Sequence, residues 1–335
     1  MRHHNRLLKV LLAHTFALTA VSALAEPLLP VPAVTLRATQ VARDVPLDQS
    51  RRILVGPDGN YYVLDAGNNR LVVLSSDWKF VRQISAAGQE PGALFDPQDF
   101  ALDRQGNIFV IDGKKRLQGF TPDGRHLGTI NYQAECLALA VNARGEYLLS
   151  QPELGALVTV YGPHGGVLRS FGKLNNGEGR YRNVANRVHL VVTSQDEVYV
   201  SLDHQGVLQK YDATGRLLWE TAIPGEEVER LRGIFWSDDP NKSKHGVVIT
   251  TVHSRVPAFY VAFNLFFDES RRQLYVPLND GSIYVADAGG KPLKFMKQPR
   301  GTVDFYSSVA TDRQNRLVAT SRYRGILLIT PARPA

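Results

Sequence analysis

The feature that most constrains this chain is that it repeats itself. An apolar stretch beginning at Ile53 runs into a polar turn at Gly59 and Asn60, then into a second apolar stretch ending at Asp65. The same plan begins at Phe100, turns at Gly106 and Asn107, and ends at Asp112. It recurs over residues 139–149 with Gly145 and Glu146 at the turn, over 190–200 with Asp196 and Glu197, and over 309–319 with Asn315 and Arg316. A looser copy over 265–276, turning at Arg271 and Arg272, carries one extra residue. Five of the copies are followed by another strand–turn–strand, turning at Asp77, at Asp123 and Gly124, at Gly165 and Gly166, at Gly215, and at Gly289 and Gly290. Glycine supplies the positive φ that tight hairpins need, and Asp tolerates it. Each unit is therefore four short antiparallel strands in about 40 to 50 residues, the mark of a propeller blade.

The expected fold is all-β, a six-bladed β-propeller of four-stranded antiparallel blades. The expected blades are 51–85, 97–131, 135–172, 186–223, 263–297 and 306–333. The sixth runs out at Ile329 and Pro331 before an outermost strand. The apolar, β-branched segment 34–41 is expected to supply that strand and so remove an exposed edge. Residues 225–262 fit poorly. Their strand-like runs lack the turn found elsewhere, so an insertion before the fifth blade is favoured, with a degenerate seventh blade left open.

Before the repeats, Arg2, Arg6 and Lys9 precede an apolar run over 10–21, then Ala23, Leu24, Ala25 and Glu26. A basic start, a short apolar stretch and an A-x-A site form a secretory signal peptide over 1–25. The expected domains are that signal, an N-terminal segment 26–50 with the closing strand, and the propeller 51–333. The run is shorter than the roughly 20 residues of a membrane span, and no later segment could span one. A periplasmic or secreted protein without a membrane span is expected. The 39 basic residues of the chain, less those three, face 32 acidic ones as 36. That mild excess has no dense Lys/Arg run, so no nucleic-acid partner is expected. Cys136 is the single cysteine. Set beside apolar neighbours, it is expected to be a buried inert thiol.

Several motifs resemble the NHL repeat family. Gly88, Pro91, Gly92, Phe95 and Pro97 look like its inter-blade linker, and Phe171, Gly172, Gly179 and Tyr181 like a second copy with Asn186 in place of the usual Pro. Asp65, Asn68, Asn69 and Arg70 match the Asp-x-x-Asn-x-Arg run that follows the second strand, and Asp112 and Arg116 match it partly. The resemblance covers most of 51–333, strongest in the first two blades. It implies a six-bladed propeller and leaves activity open, since such propellers include scaffolds, sensors, lactonases and lyases.

Aligned on the first turn, the residues entering the innermost strands are Arg52, Asp99, Ala138, His189, Asn264 and Ser308. These are expected to ring one mouth of the central channel. Their immediate neighbours, Arg51, Gln98, Leu137, Val188, Phe263 and Ser307, form a more apolar set. Two readings of the ring stay open. In one, Arg52 grips a carboxylate or phosphate while Asp99, His189, Asn264 and Ser308 orient it. In the other, these groups satisfy one another and channel water.

Calcium-dependent lactonases on similar propellers need more oxygen ligands than Asp99 and Asn264 supply, and Arg52 opposes a bare cation. Zinc chemistry needs three converging ligands. Among His126, His164, His189, His204, His245 and His253, only His189 points clearly inward by register. No nucleophile elbow or phosphate loop is present. No cofactor is expected. Binding of a protein partner or small anionic ligand is favoured over catalysis, with the protein monomeric outside an assembly. The alternative is a lactonase-like metal-dependent hydrolase or lyase on the same fold, using calcium or zinc with Asp99, His189, Asn264 and Asp304. Two loops are further contact candidates: 236–244, and the cluster Arg180, Tyr181 and Arg182.

Overall fold

The computed structural model describes residues 31–332, apart from 114, 176–185, 227, 231–247, 252–253, 258–260, 300 and 303. The expected signal peptide, the 236–244 loop and the Arg180–Arg182 cluster lie outside the described residues.

An N-terminal strand, β1 (Ala33–Val41), precedes the blades. Blade 1 is β2 (Ser50–Val55), β3 (Tyr61–Asp65), β4 (Arg70–Leu74) and β5 (Phe80–Ile84). Blade 2 is β6 (Pro97–Leu102), β7 (Ile108–Asp112), β8 (Arg116–Phe120) and β9 (His126–Asn131). Blade 3 is β10 (Leu139–Val141), β11 (Tyr147–Leu149), β12 (Val158–Tyr161) and β13 (Val167–Phe171). Blade 4 is β14 (Val188–Val192), β15 (Val198–Leu202), β16 (Val207–Tyr211) and β17 (Leu217–Ala222). A separate hairpin of β18 (Val248–Thr251) and β19 (Ser254–Pro257) follows. Blade 5 is β20 (Phe266–Asp268), β21 (Gln273–Pro277), β22 (Ile283–Asp287) and β23 (Pro292–Lys297). Blade 6 is β24 (Tyr306–Thr311), β25 (Leu317–Ser321) and β26 (Gly325–Pro331).

The fourth strand of blade 6 is β1. Its residues Leu36 to Val41 pair antiparallel with β26. Its first three, Ala33 to Thr35, pair parallel with Phe295 to Lys297 of β23. One strand thus covers the outer edges of blades 5 and 6 and joins them into a single eight-stranded sheet.

The turns explain why the strands end where they do. The residue at the first turn of every blade is left-handed: Gly59, Gly106, Gly145, Asp196, Arg272 and Asn315, with φ of 84°, 83°, 72°, 61°, 52° and 59°. A side chain at the turn entrance caps most of them. The Oδ1 of Asp103 accepts from the N–H groups of Gln105 and Asn107. The Oδ1 of Asp312 does the same for Gln314 and Arg316. Such local bonds hold a turn without a glycine at the left-handed site.

The core is built at the seams between blades. Alternate residues of a strand face opposite sides, so Tyr62, Leu64, Leu71 and Val73 pack with Phe100, Ile108 and Val110 of blade 2. On the other face Tyr61, Val63, Val72 and Leu74 pack with Ala310, Val318 and Ile326 of blade 6. Further clusters fill the seams between blades 2 and 3, 3 and 4, 4 and 5, and 5 and 6. Six seams close a six-bladed ring. Strands covered on both faces read as continuous apolar runs, as at 61–64.

Candidate functional site

The start of each first strand, the turn between the second and third strands, and the inter-blade linker share one end of the ring. The Asp–Arg motif locks this end. The Asp65 carboxylate accepts from Arg70 Nε at 2.7 Å, Asn68 Nδ2 at 2.9 Å and the Asp48 N–H at 2.6 Å. Asp112 holds Arg116 at 2.6 Å, and Arg116 also donates to the linker carbonyls of Gln89 and Ala93. These are structural staples between turn and linker.

The expected ring lies deeper than the mouth. Arg52, Asp99, Asn264 and Ser308 are 6%, 4%, 4% and 2% exposed, and Ala138 is fully buried. Arg52 Nη1 donates to Asp99 Oδ1 at 2.6 Å and to the Leu139 carbonyl at 3.3 Å. Asp99 in turn accepts from the N–H groups of Phe100 and Leu139, both at 2.9 Å. One buried ion pair thus ties blades 1, 2 and 3 together. Asn264 Oδ1 accepts from the Leu265 N–H at 2.8 Å, and Ser308 Oγ from the Ile53 N–H at 3.4 Å. Of the five polar residues expected at the mouth, only His189 is partly open to solvent, with Nε2 at 3.3 Å from Asp203 Oδ2.

The reason is a β-bulge at the start of the first strand. Pairing slips between Ser50 and Arg52, between Pro97 and Asp99, and between Tyr306 and Ser308. Each slip extrudes one residue, namely Arg51, Gln98 and Ser307. A bulge re-aims side chains, and here the following residue is buried while the extruded one is left at the mouth. The set expected to be the more apolar one therefore supplies the open polar groups.

Arg51 donates from Nη1 to the Pro97 carbonyl at 3.1 Å and to Gln98 Oε1 at 2.6 Å, with Asp96 at 3.4 Å. Its side chain remains 36% exposed. Its basicity is lowered, chiefly by burial and further by the repulsion of Arg187 and Arg322; the charge of Asp96 opposes the change. In a six-membered ring blade 4 stands opposite blade 1. Arg187, just before β14, therefore acts on Arg51 from across the channel. Arg322 lies in the turn after β25 and is exposed. Arg187 Nε lies 3.4 Å from the buried Asp203 carboxylate, which also faces His189. Phe263 and Phe305 meet edge to face at the same end, with centroids 6.5 Å apart. Arg187, Arg322 and Asp203 were not among the expected site residues, although Asp203 holds the repeat position of Asp65 and Asp112 at the end of the second strand.

Among the described residues no three His, Cys, Asp or Glu side chains are placed to hold a metal ion. Asp99 is engaged with Arg52, Asn264 with the Leu265 N–H, and Asp304 with Arg324. His126 Nε2 bonds Thr129 Oγ1 at 3.1 Å on an outer strand, and His164 is exposed at an outer turn. His245 and His253 lie outside the described residues. Cys136 is buried, and burial pushes its thiol up to about 12, so it stays protonated at neutral pH. No helix among the described residues is long and apolar enough to cross a membrane.

With this geometry in place, the comparisons agree on architecture. Residues 41–153 match a family model described as a 6-bladed beta-propeller. Human NHL repeat-containing protein 3 is 34% identical over 89 residues, which is 25% of this chain and 26% of that protein. The chain is a six-bladed β-propeller, similar over part of its length to an NHL repeat protein. It spans about a quarter of the length of that curated relative. Among solved structures, a streptogramin B lyase superposes with a TM-score of 0.56 at 10% identity, over 89% of this chain and 97% of that one. U3-55K gives 0.57 at 12%, over 89% and 98%. The WD40 repeats of RRP9 give 0.56 at 13%, over 90% and 99%. At these identities the likeness is one of fold. The motif that resembles the NHL repeat forms the Asp65–Arg70 and Asp112–Arg116 staples described above.

Proposed function

We propose that this chain is an exported propeller that binds its target rather than transforming it. The target presents a carboxylate or phosphate, on a protein partner or a small molecule, to the channel mouth. The reading rests on one observation: the bulge leaves the Arg51 guanidinium partly open at the mouth, where the charges of Arg187 and Arg322, from two other blades, also act on it. Like charges held together are relieved by an anion, and guanidinium groups match planar oxyanions with paired hydrogen bonds. In this reading Arg52, Asp99, Asn264 and Ser308 are the frame behind the site, and His189 with Asp203 forms part of its wall. The signal-like residues 1–25 support export to the periplasm or beyond.

The test is calorimetric titration of the purified protein with a penta-glutamate peptide at low and high ionic strength. Binding is expected to weaken with salt. Arg51→Gln, Arg187→Gln and Arg322→Gln are each expected to weaken it about tenfold, the worth of one hydrogen bond to a charged group. Equal affinity in the wild type and all three variants would refute the proposal.

A further inference from the structure

The channel mouth is not polar all round. Phe263 enters blade 5 at the place that Arg51 and Gln98 hold on blades 1 and 2, its N–H donating to the Pro277 carbonyl at 3.0 Å. It is half-buried and meets Phe305, also half-buried, edge to face, with ring centroids 6.5 Å apart and planes at 82°. Among the described residues, neither ring joins any of the six clusters that fill the seams. The two rings pack on each other and keep surface open at the mouth. An apolar wall with a few polar groups beside it is the usual make-up of a ligand site.

The backbone sets an arginine on each side of this pair. Tyr306 pairs with Ser321, so Phe305 and Arg322 are the next residues where the two strands end. On the other side, the Asp203 carbonyl accepts from the N–H groups of Val261 and Ala262 at 2.8 and 3.1 Å, directly before Phe263. The Asp203 N–H donates to the Arg187 carbonyl at 3.1 Å, and its carboxylate lies 3.4 Å from Arg187 Nε. Asp203 therefore holds Arg187 beside the start of blade 5. Arg322 is exposed, and the Arg187 side chain is 35% exposed.

We infer that the anion taken at this mouth is an aryl carboxylate, with its ring against Phe263 and Phe305 and its carboxylate on Arg187 and Arg322. The inference rests on the anion-binding reading above and narrows it. Aromatic rings pack edge to face or offset on one another, and a guanidinium meets a carboxylate with paired hydrogen bonds. A bare anion would leave both phenylalanines in water, and a neutral ring would leave the arginines unmatched. Arg187 shares its charge with Asp203 and Arg51 with Asp96, which suits a singly charged carboxylate better than a dianion. A free aromatic acid and a polypeptide ending in an aromatic residue both present this chemistry.

The experiment is calorimetric titration with hydrocinnamate, with propionate as the anion without a ring and hydrocinnamamide as the ring without a charge. Hydrocinnamate is expected to bind at least about tenfold more tightly than propionate, from burial of its ring, and about tenfold more tightly than the amide. Arg322→Gln is expected to weaken it about tenfold. Phe305→Leu keeps an apolar side chain but loses the ring; it is expected to weaken hydrocinnamate several-fold and to leave penta-glutamate affinity unchanged. Because Phe305 joins no seam cluster, its urea unfolding is expected to match the wild type. An acetylated glycyl-glycyl-phenylalanine peptide with a free C-terminus separates the sources: tighter binding than hydrocinnamate assigns a polypeptide end, weaker binding a free acid. Penta-glutamate binding with no gain from the phenyl ring, or equal hydrocinnamate binding in Phe305→Leu, would overturn this inference and leave the anion reading standing. Failure of every anion to bind, or an amide that binds as tightly as the acid, would overturn both.

Discussion

The buried pair of Arg52 and Asp99 separates frame from site, and the two residues are expected to fail unequally. Their side chains are 7% and 6% exposed, and removing one member of a buried pair costs about 3–5 kcal/mol. In Arg52→Met the Asp99 carboxylate keeps the N–H groups of Phe100 and Leu139, so the expected loss is near the lower figure, about 3 kcal/mol. In Asp99→Leu the guanidinium keeps only the Leu139 carbonyl at 3.3 Å. Two backbone N–H groups also lose their acceptor, at about 1–3 kcal/mol for a buried group. The loss is expected to exceed about 5 kcal/mol. The double variant leaves no unpaired charge and is expected to be more stable than Asp99→Leu alone. Urea unfolding followed by tryptophan fluorescence measures all three. If Arg52→Met unfolded with the wild type and lost peptide binding instead, Arg52 would be an open ligand residue and the burial argument would be wrong.

Two further outcomes follow from the fold. Leu36 is 1% exposed and packs into the seam of blades 5 and 6, so Leu36→Ala is expected to cost about 2–5 kcal/mol. A loss under about 1 kcal/mol by the same unfolding assay would mean that β1 does not close the ring. Burial works against the charge on Asp312, but bonds from Tyr61, from the Arg316 N–H and from the Arg316 side chain overcome it and hold its carboxyl below the usual range. A folded pKa below the unfolded one stabilises fully above the unfolded value of about 4, and that contribution is lost as pH falls through the folded value. Stability measured against pH is therefore expected to drop on the acid side, less steeply in Asp312→Asn; identical acid limbs would contradict this.

The ring was legible in the sequence because its determinants are local. The turns at 59, 106, 145, 196, 272 and 315 carry the left-handed residue within one strand of each apolar run, so period and blade count can be counted. The closing strand was legible by subtraction, since blade 6 lacks an outer strand and 34–41 is the β-branched segment left over. Its second role, the parallel pairing with β23, depends on how two blades diverge in space and leaves no trace in the pattern. The mouth was legible only to within one residue. A bulge at Arg51, Gln98 or Ser307 adds a residue to the strand without changing its composition, yet it exchanges buried and open side chains. Arg187 and Arg322 were missed because their meeting with Arg51 is set by ring closure.

The central claim is that the mouth opens onto Arg51, Arg187 and Arg322 while Arg52 stays sealed behind them. Arginine modification with p-hydroxyphenylglyoxal, mapped residue by residue by mass spectrometry with and without penta-glutamate, tests it directly. The expected result is rapid labelling of Arg51, Arg187 and Arg322, protection of all three by the peptide, and no labelling of Arg52 until the protein unfolds. Labelling of Arg52 as fast as Arg51 in the folded protein, or no protection at any of the three, would contradict it.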